Sequence, residues 1–372
     1  MELLHLPAAL RRTLFSQRPG AFNTFSRELS TASPVFAQAK TTTSVDSDNG
    51  TPDLDLDDLT PDNVLSPKEQ DKKSGPSNPP KGTQPNLLRL TSTNLNSYVT
   101  TNPPNLDQLR HAESYFHKYP PQVLYTSPLF RTIPPSPFPE VAFFGRSNVG
   151  KSSVLNALFG RPKEKPAHVS KQPGRTRTMN GFGIGSPPIP KDQGGEKWKA
   201  YLPGGLVVVD MPGYGHGSLG QWGVEIQKFI TNRKQLRMVY VLVNSEYHPK
   251  ESDFKLLMLL RNEGIPHQIV MSKVDKILYP KTKVPSELTL HKQLKRLEIR
   301  RKEVMDNVDK AAKKEGASRG VMLRDVLCVS GYKSLGYNGG KPKMIGVDEL
   351  RWSILTACGM EGVAEERASK KR

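Results

Sequence analysis

Gly145-Arg146-Ser147-Asn148-Val149-Gly150-Lys151-Ser152 is the stretch on which the reading of this chain turns. It follows an apolar run, Val141 to Phe144, and precedes a helical pattern, Val154 to Phe159. Strand, glycine-bracketed loop, helix is the setting that gives G-x-x-x-x-G-K-[ST] its meaning as a phosphate-binding loop. Glycine lets the backbone curl, so that successive N–H groups face phosphate oxygens. Lys151 is placed to reach the β and γ phosphates, Ser152 to offer a hydroxyl to Mg2+, and the helix start to favour an anion. Ser153 continues the same turn. The motif specifies a nucleotide's phosphates and leaves its base open.

Composition sets the bounds. The chain has 372 residues, 35% of them hydrophobic, and a formal net charge of +18. Mean hydropathy is −0.54 and the pI is about 9.7. So little apolar content predicts that part of the chain builds no core. The cationic surplus suits a polyanionic partner, nucleic acid above all, or an anionic membrane surface; basic targeting and solvated helices are the bland reading. Cys328 and Cys358 lack metal-ligand spacing and read as reduced core residues. No apolar run is long enough to cross a bilayer, so no stable membrane insertion is expected.

Residues 1–35 carry arginines, hydroxyls and leucines in an amphipathic arrangement with few acids, the pattern of a mitochondrial presequence, with Arg27 before Glu28 marking a removal site. Residues 36–104 are rich in Ser, Thr, Pro, Asp, Asn and Gly and read as a disordered linker. A globular pattern starts near 105 with a helical Leu106 to His117, an extended Pro120 to Ser127 and a proline-broken Pro134 to Pro137.

Gly174-Arg175-Thr176-Arg177-Thr178 lies in a polar loop that turns into a strand. Such a loop supplies a Thr hydroxyl to Mg2+ in GTP switches, and spacing leaves Thr176 and Thr178 both open. Residues 186–197 read as a solvent loop. Leu206 to Val209 is then a buried strand that delivers Asp210 at its end, followed by Met211-Pro212-Gly213. Asp210 can hold Mg2+ and the Gly213 N–H can meet a γ-phosphate. A helix is expected over 217–229.

Met238 to Val243 is continuous and apolar, as a central parallel strand requires. Ser252 to Leu260 is an amphipathic helix, and Ile269 to Met271 a strand ending in Ser272-Lys273-Val274-Asp275. That tetrapeptide chooses the base. Its carboxylate can accept from N1–H and the 2-amino group of guanine, whereas adenine would leave it unpaired. Lys273 can lay its stem along base and loop. Serine at position 272 stands where Asn or Thr is usual.

Leu288 to Lys314 has helical period, with Leu290, Leu294, Leu297, Val304 and Val308 on one stripe and its lysines and arginines largely elsewhere. It reads either as a solvated helix packed on the domain or as a basic face for RNA phosphates. Val326 to Gly331 is a last strand whose end, Val329-Ser330-Gly331, is placed to meet the guanine carbonyl through its backbone. A loop over 335–340, a closing helix Gly346 to Cys358 and a polar tail, 361–372, complete the chain.

The set G-R-S-N-V-G-K-S-S, P-G-R-T, D-M-P-G-Y-G and S-K-V-D resembles the EngB/YihA/YsxC family of translation-factor-class GTPases, over about residues 120 to 360. The resemblance implies a Ras-like P-loop GTPase fold and a role in large ribosomal subunit assembly. With the presequence, that means the mitochondrial matrix and a partner in ribosomal RNA or a large-subunit precursor. It implies GTP hydrolysed to GDP, with Mg2+ held by Ser152, Thr176 and Asp210, and it admits K+ at Asn148. Tyr214 stands where many GTPases carry a water-orienting Gln, so slow intrinsic hydrolysis resting on Lys151 and Asn148 is implied, with no general base.

The segment 276–325 is longer than in compact bacterial members, and Gly331 replaces an expected Ser or Ala. The expected architecture is α/β: a mostly parallel six-stranded sheet with helices on both faces, in a monomer. Two readings compete with a GTP switch: an RNA-binding scaffold with incidental turnover, and a signalling GTPase at an organelle membrane. The latter lacks a prenylation cysteine in Ser369 to Arg372.

Overall fold

The strand that feeds the phosphate loop, Glu140–Gly145, is buried at all six positions. Its side chains alternate between two separate apolar clusters. Ala142 and Phe144 join one, and Val141 and Phe143 join the other. A strand covered on both faces must read as an unbroken apolar run, and this one does. The computed structural model describes residues 90–118, 120–160, 166–167, 178–185, 205–214, 221–280, 285–316, 322–332, 334–335 and 343–361, all in one unit. The presequence, residues 36–89 of the linker, Gly174 to Arg177, the loop over 186–197 and the tail from 362 lie outside them.

In chain order the elements are α1 (Ser92–Leu95), α2 (Leu106–Lys118), β1 (Gln122–Ser127), β2 (Glu140–Gly145), α3 (Lys151–Leu158), β3 (Met179–Ile184), β4 (Leu206–Asp210), α4 (Gln221–Asn232), β5 (Leu236–Asn244), α5 (Glu251–Asn262), β6 (His267–Ser272), α6 (Asp275–Leu278), α7 (Glu287–Lys314), β7 (Met322–Cys328), β8 (Ser334–Leu335), β9 (Lys343–Met344) and α8 (Val347–Ala357). Among the described residues one sheet runs β1-β3-β4-β2-β5-β6-β7. The β4-β2-β5-β6-β7 pairs are parallel, and β1 and β3 extend the sheet in antiparallel fashion. Helices α2, α3 and α8 pack on one face and α4 to α7 on the other.

The sheet has seven strands where six were expected. The added one is β1, whose residues were read only as extended. It is an edge strand with a register shift between Val123 and Tyr125, and only two of its six positions are buried, so its pattern carries no buried run. The linker boundary also moves, from 104 back to about 90. Leu95 is buried, Ser97 bridges to Val326, and the N–H groups of Val99, Thr100 and Thr101 donate to the Asp325 carboxylate at 2.6, 2.6 and 3.1 Å. These residues look like linker because the carboxylate that fixes them lies more than two hundred positions away in sequence. The expected loop over 335–340 begins inside β8, which pairs with β9. Both cysteines are free thiols; Cys328 is buried, Cys358 partly so, and burial pushes each up to about 12.

Candidate functional site: a nucleotide pocket with two walls

The phosphate wall is made mostly of backbone. The loop leaves β2 at Gly145, passes through Asn148 at φ 65° and reaches Gly150 at φ 101°, the N-cap of α3. The second of these values suits glycine and strains any other residue. The opening amides of a helix have no intrahelical acceptors, so the start of α3 presents N–H groups and a partial positive charge to an anion. The turn after β4 is tied to this loop. The Ser147 N–H donates to the Tyr214 carbonyl at 3.1 Å, and the Met211 N–H donates to the Phe143 carbonyl at 3.2 Å.

Parallel pairing sets Phe143 beside Asp210, so β4 delivers its aspartate next to the loop. Lys151 Nζ bonds Asp210 Oδ1, with side chains 8% and 4% exposed. Each charge is desolvated and neutralised by the other. The donors suit Mg2+: a serine hydroxyl at the helix start and one buried carboxylate are hard oxygens, and this ion takes one or two carboxylates plus substrate phosphates rather than a full protein cage. No cluster of three or more His, Cys, Asp or Glu that could hold a metal occurs among the described residues. The residues that would hold it are Ser152 and Asp210. Thr176 lies outside the described residues. Thr178 is described, and its hydroxyl donates to Asn180 Oδ1 at 3.2 Å, at the entry to β3.

The base wall is made of side chains from distant segments. β6 ends at Ser272, whose Oγ lies 2.7 Å from the Val149 carbonyl and 3.2 Å from that of Val243. Its hydroxyl thus ties β6 to the phosphate loop, so the serine found in place of Asn or Thr keeps a structural role. Lys273, at φ 59°, donates from Nζ to the Asn148 carbonyl at 2.8 Å, and its stem passes over Gly150. Asp275 is buried at the start of α6, and Ser330 Oγ donates to its Oδ1 at 2.7 Å. The loop over 329–331 is held in turn. The Val274 N–H donates to the Val329 carbonyl at 3.3 Å, and the Ser330 N–H to that of Ile345 at 3.0 Å.

Two features here escaped the sequence. The Ser330 side chain, rather than its backbone alone, serves the site by fixing the carboxylate. Gly331, an apparent departure, has a steric cause. A Cβ there would sit 2.5 Å from the Ser153 carbonyl carbon and oxygen. Only glycine lets this loop close on the start of α3.

Tyr214 is also explained. Its ring is buried and its hydroxyl donates to Asp253 Oδ1 at 2.8 Å, while Asp253 Oδ2 accepts from the Lys250 N–H at 2.8 Å and caps α5. Burial, then the neighbouring Asp253 carboxylate, holds the phenol well above its usual range, so it stays a donor. Burial likewise raises Asp253. The hydroxyl is committed to α5 and does not orient water. Asp253 was not singled out from the sequence; its signal was an acid in the first turn of a predicted helix.

A curled phosphate loop, an aspartate at the end of the neighbouring strand and a buried carboxylate at the far wall define a Ras-like P-loop GTP-binding domain. Comparison with known proteins narrows this. A family profile described as 50S ribosome-binding GTPase matches residues 140–273. The probable GTP-binding protein EngB of Mesorhizobium japonicum is 37% identical over 174 residues, covering 45% of this chain and 77% of that protein. Its namesake from Bradyrhizobium diazoefficiens is 37% identical over 172 residues, covering 45% and 68%. That of Lachnospira eligens is 36% identical over 151 residues, 39% of this chain, and the match spans 62% of its length. The chain belongs to the EngB family of GTP-binding proteins.

Proposed function

We propose that this protein is a GTPase that hydrolyses GTP to GDP and phosphate, and that it serves as a switch in assembly of the mitochondrial large ribosomal subunit. The observation that carries the nucleotide half is the buried Asp275 carboxylate, fixed by Ser330 across the pocket from the phosphate loop. A fixed carboxylate accepts from guanine's N1–H and 2-amino group, a pair of donors that adenine lacks. Lys151 neutralises charge on the transferred phosphate. Mg2+, bound through Ser152 and Asp210, would supply further neutralisation. Asn148, at the outer bend of the loop, is the residue for K+. With its hydroxyl bonded to Asp253, Tyr214 is not free to position water, and hydrolysis is slow without a partner.

The ribosomal half is supported by the family profile's description and by the cationic surplus of the chain. The mitochondrial address is supported by residues 1–35 alone. The test is replacement of the chain in cells by Lys151→Ala. Large-subunit particles that stall and accumulate as precursors in mitochondrial gradients are expected. Full maturation with the variant would remove the switch reading and leave a scaffold.

A further inference from the structure

Helix α7 spans 28 residues and its two halves differ. Leu290, Leu294, Leu297, Val304 and Val308 bury one stripe along its length. Opposite that stripe, positions 292, 295, 299 and 302 recur at helical spacing and share one face, with 296 beside them. Lys292, Lys295, Arg296 and Lys302 are all exposed there, around Ile299, and none forms a salt bridge with a described residue. Glu298 is the only acid from 291 to 302, on the flank of this face. From 303 to 314 the three lysines, Lys310, Lys313 and Lys314, are equalled in number by Glu303, Asp306 and Asp309, so that half carries no formal net charge; Asp309 is bonded to Arg324 at 2.7 and 3.0 Å.

The first half is also anchored. Arg301 donates to the Leu95 and Asn94 carbonyls, and Arg300 bonds Glu303 at 3.0 Å while its guanidinium packs 3.1 Å from the His248 ring nitrogens. A rigid helix holding four unpaired cations over about 15 Å is an electrostatic template for a phosphodiester backbone. A membrane-surface helix needs a broad apolar face towards lipid. The apolar face of α7 is spent on the domain, and only Leu288 and Ile299 among its large apolar side chains are well exposed.

We propose that the solvent face of the first half of α7, made by Lys292, Lys295, Arg296 and Lys302, docks an RNA backbone. The proposal rests on the RNA half of the ribosomal reading above and adds the surface that reading lacks. The helix follows the guanine-reading element directly: Leu278 and Tyr279, at the end of α6, share a buried cluster with Leu290 and Leu294. A load on this face is therefore applied next to the Asp275 wall.

The test uses the full chain with GDP bound and in vitro transcribed large-subunit ribosomal RNA, over KCl from about 50 to about 300 mM. In the fourfold variant Lys292→Gln, Lys295→Gln, Arg296→Gln and Lys302→Gln, the slope of log affinity against log salt should shrink by about 3, and affinity should fall at least about 10-fold at the low-salt end. GDP affinity should be unchanged. The control Lys310→Gln, Lys313→Gln and Lys314→Gln should stay within about 2-fold of wild type. Equal losses in both variants, or a fourfold variant with wild-type affinity and slope, overturn the proposal and leave the ribosomal reading intact. A wild type that binds no ribosomal RNA overturns both. Binding to vesicles of phosphatidylcholine with an anionic lipid, lost in the fourfold variant while RNA binding persists, assigns the face to a membrane and overturns the proposal.

Discussion

The two walls of the nucleotide pocket are built differently. The phosphate wall comes from one short stretch, Gly145 to Ser152, and its recognising groups are mainly backbone amides. Its Lys151 is held by Asp210, which the neighbouring strand β4 delivers beside it. The base wall is assembled from Val149, Ser272, Asp275, Ser330 and Gly331, and every polar side chain in it has a fixed partner. The phosphate wall must exchange its internal ion pair for substrate and metal, whereas the base wall is ready beforehand. On the proposed reading, affinity and chemistry belong to the first, selectivity to the second.

That division is easiest to break at Lys151. Lys151→Ala should lower GTP and GDP affinity by about 100-fold or more, since hydrogen bonds to charged groups contribute about 1.5–3 kcal/mol each. It should also cost up to about 3 kcal/mol in urea melts, because Asp210 is left as a lone buried charge. Guanine over adenine preference, measured by competition, should persist in what binding remains. Loss of that preference would mean that the walls are not separable.

Ser330→Ala probes the other wall. It frees Asp275 without removing it, so GTP affinity should drop about 10-fold, the value of one hydrogen bond to a charged acceptor. The rate of hydrolysis at saturating GTP should be unchanged. A fall in that rate with unaltered affinity would place Ser330 in the chemistry instead. The smallest effect belongs to Asn148→Ala, which removes the side-chain amide at a φ of 65° that alanine tolerates less well than asparagine. Hydrolysis in KCl and in NaCl should become equal, with nucleotide affinity within about 3-fold of wild type. Retained K+ stimulation would take the cation away from Asn148.

The same contrast separates what was legible in the sequence from what was not. Contiguous chemistry could be read: the loop over 145–152, the aspartate-proline-glycine turn, the tetrapeptide at 272–275 and the five parallel strands, each containing an apolar run. The Ser330 hydroxyl could not, because its value depends on a carboxylate 55 positions away. Gly331 looked like a departure since its cause is the backbone of Ser153, which no local pattern reports. Residues 91–101 looked like linker for the same reason: the backbone N–H groups of Val99, Thr100 and Thr101 mean little until Asp325 is beside them. β1 was missed as a partner because an edge strand half in water lacks the uniform burial that marked its neighbours.

The most direct test of the two-wall account is the nucleotide selectivity of Asp275→Asn. Its side-chain amide donates where the carboxylate accepted, so it should suit the xanthine 2-oxo group and repel the guanine 2-amino group. Titration should show GTP affinity reduced about 100-fold, XTP bound in its place, and the Mg2+ requirement unchanged. Unaltered GTP affinity in this variant would contradict the assignment of the base wall, and with it the reading of this pocket as a guanine site.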